Sequence, residues 1–279
     1  QLELGGLRFW NNPGLLISGK TDRGLYPVRL LPELNDPGFL SEPLFQSQGY
    51  QLDIRGESAL LRFGQRAGLI NGLTTLRKLL SRETEGFTLP LCEISDYPSL
   101  KVRAVAPTFS WYAGYGRIGF DMQLWGEEEW VTFLNTCLDN KINQFNMVMY
   151  GYWPFEFEEY PETVFRDVSL DIWNAENRRW LTVSYTHPNI VKPYLRRFIQ
   201  LAHKLEVKIF AYVGLNSYNG AYSIKHPEAR TKPPRSGGFL NDFDSLCLSY
   251  PGTVDYILKS MRRIAELGFD GFTLEESEE

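Results

Sequence analysis

The feature of this sequence that most constrains its fold is a change in the apolar pattern near residue 98. Beyond that point apolar residues form short continuous runs at 102–109, 144–150, 207–213 and 271–275. Continuous runs are typical of strands buried on both faces. Longer segments with apolar residues three or four positions apart, which are typical of helices, separate the runs. The pattern predicts an α/β fold with a parallel sheet.

Helices are predicted at 127–139, 189–204 and 253–267. The loops after the second and third strands, residues 151–188 and 214–251, are long and rich in Tyr, Trp, Asn, Pro and Gly. In a (β/α)8 barrel such loops build the active-site face, and the loops at the other end stay short. We therefore predict the first half of a (β/α)8 TIM barrel. Four strands cannot close a barrel of eight, so we expect either that the chain is a fragment or that a partner chain completes the barrel.

The residues before the change have the pattern of a small α+β domain. Alternating apolar residues within 50–63 predict half-buried strands, and residues 68–80 carry one apolar helix face. Pro98 disfavours helical geometry in the residue before it, and no periodic pattern crosses this point. The predicted domains are a non-catalytic α+β domain at 1–98 and the N-terminal half of a catalytic barrel at 99–279.

Composition excludes several classes of function. The net charge is −5 and no basic block occurs, so nucleic acid is not an expected partner. No apolar run approaches the ~20 residues of a membrane span, so no membrane partner is expected either. Cys92, Cys137 and Cys247 stand far apart without a CxxC pair, which argues against a metal site. The glycine spacing at 114–119 matches a dinucleotide fingerprint, but this run neither directly follows a predicted strand nor opens a helix.

We accordingly expect no cofactor and no metal. The N-terminus lacks the basic-then-apolar pattern of a signal peptide, and the sequence starts without Met. A signal could have been removed upstream, which leaves the compartment open. A secreted or periplasmic location is favoured over a cytoplasmic one.

An acidic run ends the fourth predicted strand. It contains Glu275, Glu276, Glu278 and Glu279. Crowded like charges favour retention of a proton by one of them, and glycoside cleavage needs such a general acid. An acidic run after a strand is also typical of a solvated loop or a first helical turn. Its predicted position at the C-terminal end of a barrel strand favours the catalytic interpretation, with Glu275 contributing to substrate binding.

Further candidates follow the second and third predicted strands. They are Tyr150, Trp153, Tyr212, Asn216 and Tyr218. Their polar groups could bind sugar hydroxyls, and their rings could stack on the apolar C–H faces of a sugar. Packing within the loops is the alternative interpretation for each of them.

Two sets of residues resemble glycoside hydrolase family 20, the β-N-acetylhexosaminidases, which pair a small domain with a catalytic barrel. The first set comprises Gly49-Tyr50-Gln51-Leu52-Asp53-Ile54, Gly68, Gly72, Thr75-Leu76, Leu79-Leu80, Ile94-Ser95-Asp96-Tyr97-Pro98 and Arg103. The second comprises Lys141-Ile142-Asn143, Leu246-Cys247-Leu248-Ser249-Tyr250-Pro251 and the segment from Leu274 to Glu278. The resemblance implies that Glu278 is the general acid and that Arg103 grips sugar hydroxyls.

One position departs from that family. Ser277 stands where the hexosaminidases have an Asp that orients the acetamido group of the substrate. A Ser-Glu pair here is closer to the α-glucuronidases, although their Trp-Asp-Asn motif after strand one is replaced by Thr108-Phe109-Ser110-Trp111-Tyr112. This similarity is secondary.

The sequence therefore predicts an exo-acting glycoside hydrolase of the β-N-acetylhexosaminidase type that takes an oligosaccharide or glycan substrate. Its second catalytic group is expected either in the substrate or on strands outside this chain. The alternatives are an α-glucuronidase-like hydrolase, a carbohydrate-binding relative without catalysis, and a lyase that acts on uronic-acid polymers.

Overall fold

The computed structural model describes residues 2–4, 7–9, 16–21, 24–83, 86–107, 117–118, 124–216, 219–231 and 245–275. The chain divides into two compact units. The first comprises residues 1–103, 133–143 and 203–207, and the second comprises 104–132, 144–202 and 208–279. A domain boundary at residue 98 stays a prediction.

The N-terminal part of the chain forms a mixed α/β layer. Its elements are β1 (Leu2–Leu4), β2 (Leu7–Phe9), β3 (Leu16–Thr21), β4 (Gly24–Leu31), α1 (Pro43–Gln48), β5 (Tyr50–Ile54), β6 (Ala59–Phe63), α2 (Arg66–Leu79), β7 (Ser81–Glu83), β8 (Gly86–Thr88) and β9 (Cys92–Asp96). The main sheet has the order β3-β4-β6-β5-β9. Among neighbouring strands only β4 and β6 are parallel. Two hairpins, β3–β4 and β5–β6, and two connections that each pass over one strand, from β4 to β5 and from β6 to β9, link the strands.

Strand alternation and a close glycine contact hold this layer together. Leu52, Ile54 and Leu61 are fully buried, as expected from the period of two in β5 and β6. Helix α2 packs on these two strands. A Cβ atom at Gly68 would lie 2.1 Å from the carbonyl oxygen of Gly49, so α2 reaches this position only with glycine there.

The remaining elements alternate between strand and helix over much of their length. They are β10 (Ala104–Val105), β11 (Arg117–Ile118), α3 (Glu127–Asp139), β12 (Gln144–Val148), β13 (Val168–Asn174), β14 (Arg179–Tyr185), α4 (Pro188–Val191), α5 (Leu195–Lys204), β15 (Lys208–Gly214), α6 (Gly220–Lys225), α7 (Pro251–Leu267) and β16 (Gly271–Glu275). Single 3-10 turns lie at Pro161–Thr163 and Pro227–Ala229. Strands β10, β12, β15 and β16 form an all-parallel sheet in sequence order.

Aromatic rings pack helices α3 and α5 against the parallel sheet. Phe145 of β12 stacks on Trp130 of α3 at 6.0 Å between ring centroids, and Phe198 of α5 lies 6.2 Å from both rings. Helix α7 begins with Pro251 and ends at Leu267, and Gly268 follows it as a left-handed cap with a φ of 105°. The apolar faces of α3 and α5 therefore lie against the sheet.

Two sequence predictions are wrong in detail. Residues 151–188, predicted as a loop, contain the antiparallel hairpin β13–β14, to which β11 adds in parallel. The single helix predicted over 189–204 is divided into α4 and α5 because Pro193 disfavours helical geometry at Lys192. The first predicted strand is observed at β10, and residues 108–109 lie outside the described part.

Within the described ranges, no helix is both long and apolar enough to cross a membrane. The same ranges contain no group of three or more His, Cys, Asp or Glu side chains arranged to hold a metal ion. The cysteines are free thiols, and burial raises the pKa of Cys137 to about 11. The thiol of Cys137 is therefore protonated at neutral pH and chemically inert.

A candidate active site at the carboxyl ends of the parallel strands

The parallel register brings three of the predicted site residues together. Tyr212 pairs with Thr273, and Gly214 pairs with Glu275, so Tyr212 and Glu275 lie on the same face of β15 and β16. Tyr150 follows the end of β12, where the amide of Met149 donates to the carbonyl of Tyr212 at 2.9 Å. Tyr150, Tyr212 and Glu275, which we call the Tyr–Glu cluster, therefore meet at one edge of the sheet.

The contacts in the Tyr–Glu cluster are direct. The hydroxyl of Tyr150 donates a short hydrogen bond to the carboxylate of Glu275. The rings of Tyr150 and Tyr212 meet edge to face at 5.7 Å between centroids. The backbone carbonyl of Glu275 accepts a 2.8 Å hydrogen bond from Leu215, which fixes the chain beneath the carboxylate. Tyr150 is buried, whereas Tyr212 and Glu275 are half-buried.

The electrostatics of the cluster keep both phenols protonated. Burial raises the pKa of Tyr150 far above its ordinary value, and the neighbouring Glu275 raises it further. Burial and the same carboxylate also raise the pKa of Tyr212. At neutral pH the tyrosines can therefore donate hydrogen bonds but cannot serve as bases.

This arrangement can bind hydroxyl groups. A carboxylate held by a phenol accepts hydrogen bonds in a fixed direction, and the adjacent rings offer apolar surface. Polar groups beside aromatic rings at the carboxyl ends of parallel strands are typical of small-molecule sites in α/β proteins. The site is thus suited to a polyol with apolar C–H faces.

Trp153 lies elsewhere in the core of the second unit. Its indole N–H donates a 2.8 Å hydrogen bond to the hydroxyl of Tyr256, and its side chain is buried. The ring also stacks on Phe155 at 5.3 Å. These contacts give Trp153 a structural role, and a sugar-binding role for it stays a prediction without geometric support.

Asn216 is near the cluster in the chain, but its backbone contact is structural. It follows Leu215, and its backbone carbonyl accepts a 2.8 Å hydrogen bond from Leu246. Its side chain is half-buried and has a partner of its own. Binding of substrate by Asn216 therefore stays a prediction.

The guanidinium of Arg103 is engaged within the first unit. It donates to the carbonyls of Lys141 and Leu100, at 2.6 and 2.7 Å, and to the side-chain oxygen of Gln48 at 2.9 Å. Burial lowers its pKa, although an arginine stays charged at any physiological pH. These bonds give Arg103 a structural role, and its role as a sugar ligand stays a prediction.

Glu278, the predicted general acid, lies outside the described residues, as do Tyr218 and Ser277. One further residue on the site face is not among the predicted ones. Asn146 lies on β12 two residues before Val148 and four before Tyr150, so it shares the face of Tyr150, and its buried side-chain oxygen has no hydrogen-bond partner among the described residues. A polar residue within an apolar strand is the signal that would have identified it.

Comparisons with known proteins agree with the resemblance found in the sequence. Residues 28–97 match the family described as glycosyl hydrolase family 20, domain 2. No curated protein matches the chain.

Solved structures with a similar fold include β-N-acetylhexosaminidases and related enzymes. An exo-β-N-acetylglucosaminidase from Vibrio harveyi, in complex with N-acetylglucosamine, superposes with a TM-score of 0.63 at 16% identity, over 86% of this chain and 36% of that one. For a β-N-acetylhexosaminidase from Streptomyces coelicolor A3(2) the TM-score is 0.62 at 16% identity, over 89% of this chain and 47% of that one. For a mutant β-hexosaminidase from Streptomyces plicatus, in complex with its product GlcNAc, the TM-score is 0.61 at 18% identity, over 86% of this chain and 45% of that one.

The chain thus spans less than half the length of these structures. At this level of identity the likeness establishes the fold. The predicted resemblance to family 20 is confirmed, and the secondary similarity to the α-glucuronidases stays a prediction.

Proposed function

We propose that this chain forms part of a glycoside hydrolase that releases a terminal sugar from a glycan, with β-N-acetylhexosaminidase-like specificity. The Tyr–Glu cluster carries the proposal, because it places a carboxylate, a phenol donor and an aromatic ring at the strand ends where a sugar would bind. The family 20 match at 28–97 and the similar fold of family 20 enzymes support it.

In the proposed mechanism Glu275 and Glu278 have different roles. Glu275, held by Tyr150, accepts a hydrogen bond from a hydroxyl of the terminal sugar and fixes the position of its ring. Glu278 lies three residues further along the chain and is the proposed general acid, which donates a proton to the departing glycosidic oxygen. The second catalytic group is either the acetamido group of the substrate or a residue outside this chain.

We also propose that the parallel sheet is the first half of a (β/α)8 barrel. Its strands follow one another in sequence order, and β16 lies at the sheet edge. Apolar side chains are exposed on this strand and on the helix that precedes it, with Leu274 of β16 46% exposed and Leu258 of α7 60% exposed. Further β/α units, in residues after Glu279 or in a partner chain, would cover these side chains.

Hydrolysis of aryl glycosides tests the proposed function. In the protein with its barrel complete, Glu278→Gln should reduce turnover of an aryl β-N-acetylglucosaminide by about 100-fold or more while product binding survives, because only proton donation is lost. Glu266→Gln, which removes an exposed carboxylate on α7 paired with Arg263, is the matched control. Full turnover in the Glu278→Gln variant would exclude Glu278 as the acid.

The sugar and the reaction class can be tested in the same assay. Turnover of an aryl α-glucuronide, with none of the N-acetylglucosaminide, would favour the α-glucuronidase-like alternative. Ser277, which replaces the Asp of the hexosaminidases, favours a second candidate, a carbohydrate-binding relative without catalysis. Sugar binding without turnover of any substrate would support that candidate.

A further inference from the structure

The hairpin β13–β14 has one apolar face and one polar face. The apolar face packs on Phe165, Tyr152 and Leu124. Its own residues alternate along the two strands and are Val168, Leu170, Ile172, Leu181, Val183 and Tyr185. This packing accounts for the fold of the hairpin, so the side chains of the opposite face are not needed for the core.

The opposite face carries two tryptophans among hydroxyl groups. Trp173 and Trp180 pair directly across the strands, with ring centroids 5.5 Å apart and planes at 63°. They are 37% and 45% exposed. The other residues of this face on the hairpin are Ser169, Asp171, Thr182 and Ser184, and β11 adds Arg117 beside Asp171. The two adjacent indoles form a contiguous apolar patch bordered by polar groups, which is a feature of binding surfaces.

The charge of this face restricts the ligand. Asp171 is the acidic residue among the described positions of this face, and its carboxylate accepts a 2.6 Å hydrogen bond from the hydroxyl of Thr182. Arg117 of β11 pairs in register with Asp171 and so lies on the same face of the sheet. Arg179 precedes Trp180 and therefore alternates to the other face of β14. Arg117 and Asp171 occupy paired positions on this face and their formal charges cancel, so the described positions suit a neutral ligand better than an anionic glycan or a phosphate.

We propose that the Trp173–Trp180 face is an auxiliary binding surface for a neutral polysaccharide chain. The apolar C–H faces of pyranose rings would stack on the two indoles, whose mutual tilt suits successive residues of a twisted chain. Ser169, Thr182 and Ser184 would hydrogen-bond to the sugar hydroxyls. The surface lies on a different sheet from the Tyr–Glu cluster, so it would hold a polymer rather than take part in cleavage.

The choice of a saccharide as the ligand rests on the proposed function, but the binding test does not depend on turnover. Two competing roles for the tryptophan pair predict different results. A pair that only stabilises the hairpin would bind no polymer. A pair that contacts a second copy of the chain would change the oligomeric state when it is removed.

Affinity electrophoresis through soluble glycol chitin and through soluble hydroxyethyl cellulose, two neutral β-1,4-linked polymers whose chains are free to twist, tests the proposal. Trp173→Ala and Trp180→Ala should each weaken binding by about tenfold, as expected for loss of a stacking anchor. The double variant Trp173→Tyr/Trp180→Tyr keeps aromatic rings and a cross-strand pair, and should bind within about threefold of the parent. Val191→Ala, which trims another exposed apolar side chain, is the control.

The outcomes separate this inference from the proposed function. Glu278→Gln should bind polymer normally, and Trp173→Ala should hydrolyse a small aryl glycoside at the normal rate. Polymer binding that depends on the tryptophans supports the surface even if no substrate is hydrolysed. The proposal would be overturned if the parent protein bound neither polymer, or if the alanine variants bound as tightly as the parent. If the alanine variants fail to fold, failure of the folded tyrosine variant to bind would overturn it as well.

Discussion

The hydroxyl of Tyr150 hydrogen-bonds to the carboxylate of Glu275 across 125 residues of sequence. The two residues belong to the ends of β12 and β16, and β15 lies between these strands. The bond therefore spans the middle strand, and Tyr212 of that strand packs against Tyr150. One contact thus joins the carboxyl ends of two strands that are not neighbours in the sheet.

Removal of the phenol should impair catalysis more than folding. Tyr150→Phe keeps the ring but removes the hydrogen bond that the Tyr150 hydroxyl donates to the Glu275 carboxylate, and we expect kcat/KM for an aryl glycoside to fall about 10- to 100-fold. Tyr160→Phe removes a phenol that donates to the exposed Asp255 at 2.7 Å, and it should leave kcat/KM unchanged. If the two variants lower kcat/KM equally, Glu275 is not part of the active site.

The free energy of unfolding at alkaline pH should reflect the raised pKa of Tyr150. The pKa of Tyr150 is raised by burial and by Glu275 above the ordinary 10.0, so the folded state holds this proton more tightly than the unfolded state. The resulting stabilisation is complete below about pH 10 and is lost as the pH rises further. In urea unfolding the stability gap between the parent and Tyr150→Phe should stay constant up to about pH 10 and narrow as the pH rises above that value. A gap that stays constant above that value as well would contradict the raised pKa.

Trp153 should affect stability and not sugar binding. Trp153→Phe leaves a cavity and deprives the buried hydroxyl of Tyr256 of its donor, so we expect a loss of about 2–4 kcal/mol in the free energy of unfolding. A double-mutant cycle with Tyr256→Phe should give a coupling of about 1 kcal/mol. If the folded variant instead loses sugar affinity at unchanged stability, Trp153 contacts the ligand.

Arg103 should likewise be a stability residue. Arg103→Met removes its hydrogen bonds to Gln48, Leu100 and Lys141, and we expect it to cost about 2–4 kcal/mol by chemical denaturation. Arg55→Met removes an exposed arginine that pairs with Asp53 at 2.6 Å, and should cost about 1 kcal/mol or less. Normal stability with weakened sugar binding in Arg103→Met would restore the sugar-ligand interpretation.

Elements with strong periodicity can be predicted from the sequence. The predicted bounds of helix α3 and of β16 agree with the observed ones, because an amphipathic stripe and a buried apolar run each have few alternative structures. The hairpin β13–β14 is not predicted, although both strands alternate. Its Trp, Tyr and Asn residues make the segment resemble the loops around it, and a turn of four residues separates the strands.

The site is predictable in part for a physical reason. Parallel strands end on the same edge of a sheet, so Tyr150, Tyr212 and Glu275 are expected near one another from the strand positions alone. Side-chain direction cannot be predicted for Trp153 and Arg103, since their partners Tyr256 and Gln48 lie 103 and 55 residues away. Such pairings depend on tertiary packing, which no local pattern encodes.

The uncovered apolar side chains of Leu258 and Leu274 have a practical consequence for handling the chain in solution. Sulfate and phosphate salts strengthen association of poorly hydrated surfaces, whereas mild chaotropes weaken it. Preparations of this polypeptide should therefore be least prone to precipitate in dilute, low-salt buffers, and light scattering should grow with ammonium sulfate before any unfolding is detected.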